Sequence, residues 1–317
     1  MASEYEDWEL IVVGDACTDD SDSVVQSFDD PRVKFFNLEE NFGDQSGPNN
    51  AGLSKAGGDF IAYLNHDDLY FPDHLGSCLA HLKEADADFV HSAALRCFPV
   101  GSPESTLQMR LTLHAVSGME RYQPVAGVPA STWLLKRSIA ERVGLWKPAT
   151  QCYGSSSQDW LFRAWKAGTK MHFTRHASVL IIPSGLRPSD YAKREVQDSK
   201  HFFQAMQEPA FRERWLEDIA VRSAAGAATV RLSPRYHLKT FGSFVYRLLA
   251  RLLLPLGVPP RDLLRLLTFG RRGNFIQRLR RRRGLSELDA TKQKMAVPRI
   301  RSAEETSPDK TNRNDKA

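Results

Sequence analysis

Short apolar runs separated by helical stretches set what the first 95 residues can fold into. WELIVVG (8–14), RVKFFN (32–37), DFIAYL (59–64) and the run from Asp88 to Leu95 are rich in Val, Ile, Leu and Phe. Runs of this length and composition predict buried strands. Between them lie an amphipathic segment around 20–28, a helical stretch from Asn50 to Ala56 stopped by Gly57-Gly58, and a helix from Pro72 to about Ala85. Strands alternating with helices predict an α/β layer fold with a mostly parallel sheet. Residues 97–130 read as an irregular, acceptor-side loop. Helical signals return at 136–143 and 158–167, two short strands are expected near 170–182, and helices at about 190–206 and 209–228.

Two of the strand ends carry clustered acids. The first delivers Asp15, Thr18, Asp19 and Asp20, and the third delivers Asn65, His66, Asp67 and Asp68. In an open parallel sheet, ligands bind beyond the carboxyl ends of the strands. Adjacent carboxylates repel unless a cation or donor groups compensate, and a hard divalent ion shared with substrate phosphates would do so. The plainer alternative is that Asp19, Asp20 and Asp68 cap the helices that follow. It accounts for any single acid better than for the paired arrangement.

Three segments, in order, resemble a family 2 glycosyltransferase over about 1–185. WELIVVGDACTDDS (8–21) resembles that family's strand and "DDGSxD" turn. NFGDQSGPNNAGLSKAGGDFIAYLNHDDLYFPDHL (41–75) resembles its central run ending in D-x-D-D and P-x-x-L. VGLWKPATQCYGSSSQDWLFRAWKAG (143–168) resembles its base-bearing segment. The resemblance implies a GT-A fold (nucleotide-diphospho-sugar transferase, Rossmann-like) and inverting transfer of a sugar to an acceptor hydroxyl, in polysaccharide or envelope glycan synthesis. It implies that Asp15 binds the nucleotide base, with Asn50 and His66 also on the donor, most often a UDP-sugar. Asp67, with Asn65, would hold Mg²⁺ or Mn²⁺, and Asp159 would be the catalytic base. The acceptor would be a glycan or a lipid-linked saccharide. The roles suit the chemistry, because the attacking hydroxyl must lose a proton and the departing diphosphate must be neutralised.

The chain departs from the pattern in four places. Asn65 stands where the first acid of D-x-D is expected, Gly14 replaces the first acid of the base motif, and Pro48 stands where relatives carry Arg. Seven residues precede Trp8, where the family has a further strand and helix. The resemblance therefore implies an N-terminally truncated domain with unpaired strand edges.

Charge divides the chain. Residues 1–230 hold 22 Lys and Arg against 31 Asp and Glu, a formal −9, whereas 231–283 hold 14 against the single Asp262, a formal +13. The organisation expected is a catalytic domain over 1–185, a basic helical extension over 186–285 broken at Pro255, Pro259-Pro260 and Gly270, and a disordered tail over 286–317. Leucines interleaved with arginines at 247–279 fit either a helix pair on anionic lipid or a subdomain packing its leucines on the core. Arg280–Arg283 suggest nucleic acid, but no nucleic-acid module accompanies them. The N-terminus has no secretory signature, and Phe244–Val258 is too short to span a membrane. Cys17, Cys78, Cys97 and Cys152 fit a reducing compartment. Together these predict a cytoplasmic protein, peripheral at the inner membrane face. The rival classes are a catalytically inactive binding protein and a basic nucleic-acid-binding protein.

Overall fold

The computed structural model describes residues 3–99, 109–114, 120–124, 127–182, 198–230, 234–282, 284–294 and 297–301. In chain order the first elements are β1 (Leu10–Gly14), α1 (Ser21–Gln26), β2 (Val33–Asn37), α2 (Ser46–Lys55), β3 (Phe60–Ala62), β4 (Leu69–Tyr70) and α3 (His74–Glu84). Next come β5 (Phe89–Pro99), β6 (Met109–His114), β7 (Trp133–Lys136), α4 (Arg137–Val143), α5 (Ser156–Lys166) and β8 (Met171–Ile181). Helices complete the chain: α6 (Asp198–Ala205), α7 (Phe211–Val230), α8 (Pro234–Leu253), α9 (Pro260–Phe269) and α10 (Asn274–Arg282).

The α/β class follows the expectation, but the sheet is mixed rather than mostly parallel. β1 and β2 pair in parallel as a two-stranded sheet, and the larger sheet runs β3-β7-β5-β8-β4 with β6 beside β5. Only β5–β8 is parallel there; β3–β7, β5–β7, β5–β6 and β4–β8 are antiparallel. β7, the apolar run WLLK, follows a 3₁₀ turn at Ala130–Thr132 and runs antiparallel to both of its neighbours, β3 and β5. Period and composition mark a strand as buried without saying which way its neighbour runs. Among the described residues β1 pairs only with β2, and β3 only with β7.

Three further expectations change. Residues 97–130 are not wholly irregular, because Ala94–Pro99 pairs with Met109–His114; 100–108, 115–119 and 125–126 lie outside the described residues. The two short strands near 170–182 are one strand, β8, with a register shift against β5 near Ala93 and a left-handed residue, Arg175. Residue 185 is no packing boundary either. Phe202 of α6 and Phe211 of α7 are buried in one cluster with Leu95, Leu111 and Leu180, so those helices complete the core. The start of the helix expected at 190 lies outside the described residues.

The aromatic layer beneath the sheet positions the site. Trp133, Trp146 and Trp160 are fully buried, with ring centroids 5.4–6.2 Å apart. They join β7, the loop after α4 and α5 into one rigid body. On the far side, Arg212 of α7 donates to both Asp73 oxygens, at 3.0 and 2.8 Å, and His176 Nε2 lies 2.8 Å from Asp73 Oδ2. Burial alone would raise the Asp73 carboxyl, but the bonds from His176 and Arg212 outweigh it and bring the pKa from 3.8 to about 2. A folded-state value below the unfolded one stabilises above the unfolded pKa, and that stability is lost as pH falls toward 2. Because the site is partly exposed, the contribution is about 1 kcal/mol after screening. Asp73→Asn should therefore lower the urea midpoint at pH 7, and the deficit should shrink as both proteins are acidified toward about pH 2. A deficit constant with pH would assign the loss to packing.

Candidate active site

β1 ends at Gly14, and the chain turns so that Asp15 points into the loop 41–44. Asp15 accepts from the Phe42 amide at 2.6 Å and the Gly43 amide at 2.8 Å, and Asn41 Nδ2 donates to the Asp15 carbonyl. Burial pushes the Asp15 carboxyl up from its ordinary value, and the two amide bonds act against that rise. A side chain at Gly14 would meet Asn37 Oδ1 at 2.8 Å and Phe35 at 3.0 Å. Asn37 is itself bound to the Cys17 main chain. The close approach leaves little room for a side chain at position 14 unless these neighbours shift.

Sequence reasoning passed over Asp44, which ties this loop to α5. It accepts from the Ala149 amide at 2.7 Å, from Ser156 Oγ at 3.0 Å and from Ser46 Oγ at 2.9 Å. Its signal was its place in NFGD, immediately after the loop that holds Asp15. Asp44→Ala would leave the Ala149 amide and two hydroxyls without this acceptor, a loss of about 1–3 kcal/mol by the cost of stranding buried donors. Chemical denaturation measures it, and an unchanged midpoint would show that solvent replaces the carboxylate.

Ser155 caps α5, accepting from the Gln158 amide. The cap sets the first turn, in which Asp159 sits. Asp159 Oδ2 accepts from Arg163 Nε at 2.7 Å, and Oδ1 faces Lys147 Nζ at 3.3 Å. Arg163 is anchored further by the Val143 and Leu145 carbonyls, whereas the Lys147 side chain is 46% exposed. Oδ2 thus meets an anchored partner and Oδ1 a solvated one.

The third strand end is organised around Asp68, not Asp67. Asp68 accepts from Ser131 Oγ at 2.5 Å, Asn65 Nδ2 at 3.1 Å and the Ile182 amide at 3.1 Å. Burial first, then the adjacent Asp67, pushes its carboxyl up to about 6 against those bonds. Asp68 therefore holds the loop and caps no helix, whereas Asp19 does accept from Ser21 at the start of α1. Asp67 is half-buried and His66 exposed on that loop. Asn65 donates its Nδ2 to Asp68, and its side-chain oxygen is the end that could serve as a ligand. Among the described residues no three His, Cys, Asp or Glu side chains gather as a ligand group. A cation shared with a diphosphate needs only one or two protein carboxylates, the rest being phosphate and water. Asp67 with Asn65 fits that sparse requirement.

Asn50 departs from its expected donor role. It is completely buried, and its amide binds the Trp146 carbonyl and amide, both at 2.9 Å. It positions the segment carrying Lys147. The same segment reaches the third strand end, since Trp146 Nε1 donates to Tyr63 Oη at 3.2 Å, two residues before Asn65. Asp15 and Asp159 are therefore joined through Asp44, and Asp159 and Asn65 through Lys147, Trp146 and Tyr63. Of the four free cysteines, Cys17 meets Asn37 through its main chain and Cys152 Sγ donates to the Pro148 carbonyl.

An α/β domain with acids just past the ends of β1 and β3, and a further acid in the first turn of α5, frames the candidate site. Residues 1–144 match the model of glycosyl transferase family 2. The match takes in Asp15, Asn65 and Asp67 and stops before Asp159. The chain is 37% identical over 89 residues to the GalNAc(5)-diNAcBac-PP-undecaprenol beta-1,3-glucosyltransferase of Campylobacter jejuni, covering 26% of this chain and 28% of that protein. It is 31% identical over 91 residues to the diphosphoundecaprenol beta-1,3-glucosyltransferase WfgD of Escherichia coli, covering 29% and 36%. The chain thus spans about a third or less of these curated relatives. Among solved structures, S. aureus TarS 1–349 in complex with UDP-GlcNAc aligns at a TM-score of 0.48 and 15% identity, over 73% of this chain and 70% of that one.

Proposed function

We propose that the chain transfers a sugar from a nucleotide diphosphate sugar to an acceptor hydroxyl with inversion at the anomeric carbon. The observation that carries this reading is the shared hydrogen-bonded frame in which Asp44 links the Asp15 loop to the helix bearing Asp159. Asp15 is the acceptor for the nucleobase, since a carboxylate has about four lone-pair sites and two are taken by amides. UDP-sugars suit that acceptor because uracil carries an N–H. Asp67, with the Asn65 carbonyl, would hold Mg²⁺ or Mn²⁺, which when bound neutralises charge on the departing diphosphate. Asp159 Oδ1 takes the proton of the acceptor hydroxyl as its oxygen bonds to the anomeric carbon. The bond to the diphosphate breaks on the opposite side and its electron pair leaves with phosphate oxygen. Lys147 must swing off Oδ1 for the hydroxyl to enter, and its exposure permits this. Arg163 keeps Oδ2 in place meanwhile.

The acceptor is proposed to be a glycan or a lipid-linked saccharide of the cell envelope, as the named relatives act on undecaprenol-linked sugars. That chemistry would run in the cytoplasm at the inner membrane face. The test is transfer or slow donor hydrolysis with Mn²⁺ across a panel of UDP-sugars. Turnover with one sugar that stops in Asp159→Asn supports the reading. Donor binding without turnover under every condition would favour a catalytically inactive binding protein.

A further inference from the structure

The leucines of α8 and α9 divide between an inward face and one that faces solvent. On α8 the inward face is Tyr246, Leu249, Ala250 and Leu253, half-buried or buried. The outward face carries Phe244, Leu248 and Leu252, four residues apart, and continues into the turn with Leu256; all are exposed, Leu252 at 62% and Leu256 at 74%. Such spacing places side chains on one helix face. α9 is turned inside out relative to an ordinary amphipathic helix. Its Arg265 side chain is 17% exposed, donates to Gln158 at 3.0 Å and stacks over Phe275, with Asp262 3.7 Å away. Meanwhile Leu264 and Leu267 point outward, Leu267 at 75%.

Leucines held in water beside a half-buried arginine of the same helix leave an apolar surface that is costly unless something apolar covers it. We infer that the outward face of α8 and α9 is a docking surface for an anionic lipid bilayer. The charge selects this occupant. Arg247 and Arg251 are exposed on α8 between the leucines, Arg271 and Arg272 are exposed just past α9, and 231–283 holds a single acid among 14 bases. Apolar side chains flanked by cations are the signature of a helix lying in the headgroup region, where each cation is drawn to acidic lipid. A second copy of this chain would bring two strongly positive faces together, and a nucleic acid would leave the leucines in water. Among the described residues no helix is long and apolar enough to cross a membrane, so the surface rests on the bilayer. The inference does not depend on the transfer chemistry.

Flotation of the full chain with vesicles tests it, since neither donor nor acceptor is needed. Binding to phosphatidylcholine vesicles containing phosphatidylglycerol should exceed binding to phosphatidylcholine alone by about tenfold or more and fall with salt. Leu252→Glu, Leu256→Glu and Leu267→Glu together should cut that binding by about tenfold or more, with the melting temperature unchanged because all three side chains are exposed. Arg247→Gln with Arg251→Gln should weaken binding and flatten its salt dependence. Failure to float with anionic vesicles, equal flotation of the triple variant, or a stable dimer in light scattering that the triple variant abolishes would each overturn the assignment.

Discussion

Asp159→Asn is expected to reduce sugar transfer by about a hundredfold to ten-thousandfold, the range general base catalysis contributes, while donor affinity changes little. The substitution keeps the side chain's shape and its acceptor oxygen toward Arg163, and it removes the proton-accepting charge. The separation of effects is what makes the result informative. If Asp159 were only an N-terminal helix acid favoured by the dipole, the change would cost a few tenths of a kcal/mol to about 1 kcal/mol of stability and leave turnover intact. Single-turnover transfer rates beside calorimetric donor binding distinguish the two. Loss of binding in step with rate would make Asp159 a structural partner of Arg163 and Lys147 instead.

Asp67→Asn is expected to have the second-largest effect, through the metal. With Asn already at 65, the variant would leave that part of the loop no unburied carboxylate, since Asp68 is spent on Ser131, Asn65 and Ile182. A hard dication held by neutral amides alone binds far more weakly. Saturation by Mn²⁺ should shift upward by about tenfold or more, as for loss of a ligand set's principal charge, and turnover should fall at any fixed metal concentration. A metal titration identical to that of the parent would remove Asp67 from the site.

Much of this was legible in the chain because it was local. The helix from Pro72, the strand at 8–14 and the breaks at Pro255 and Gly270 rest on side-chain period, proline and glycine, and the elements fall within a few residues of their expected ends. Three kinds of feature were not legible. Strand direction was one, since WLLK of β7 carries no mark of running antiparallel to both neighbours. A second was which polar residue is consumed by the scaffold. Asn50 looks like a donor ligand and is a clamp on Trp146, while Asp44 looks like loop polarity and connects two halves of the site. The third was the tail. Residues 286–301 have little apolar periodicity and were expected to be disordered, yet Leu288 and Gln293 are buried. Gln293 donates to the Phe42 carbonyl and accepts from Thr150, and Ile300 bridges Leu38. A few separate anchors suffice to dock a strap that has no repeat, and they lie on the outer side of the loop whose amides hold Asp15. Residues 302–317 lie outside the described residues.

The acids at the ends of β1 and β3 are proposed to receive a nucleotide diphosphate with a cation. Thermal melting of the full chain with a UDP-sugar panel, in Mn²⁺ and then in EDTA, tests this proposal most directly, because a bound ligand stabilises according to its affinity. The expected result is a rise in melting temperature with at least one UDP-sugar, removed both by EDTA and by Asp15→Ala. A melt that no UDP-sugar moves in Mn²⁺, or a rise that survives Asp15→Ala and EDTA alike, would contradict it.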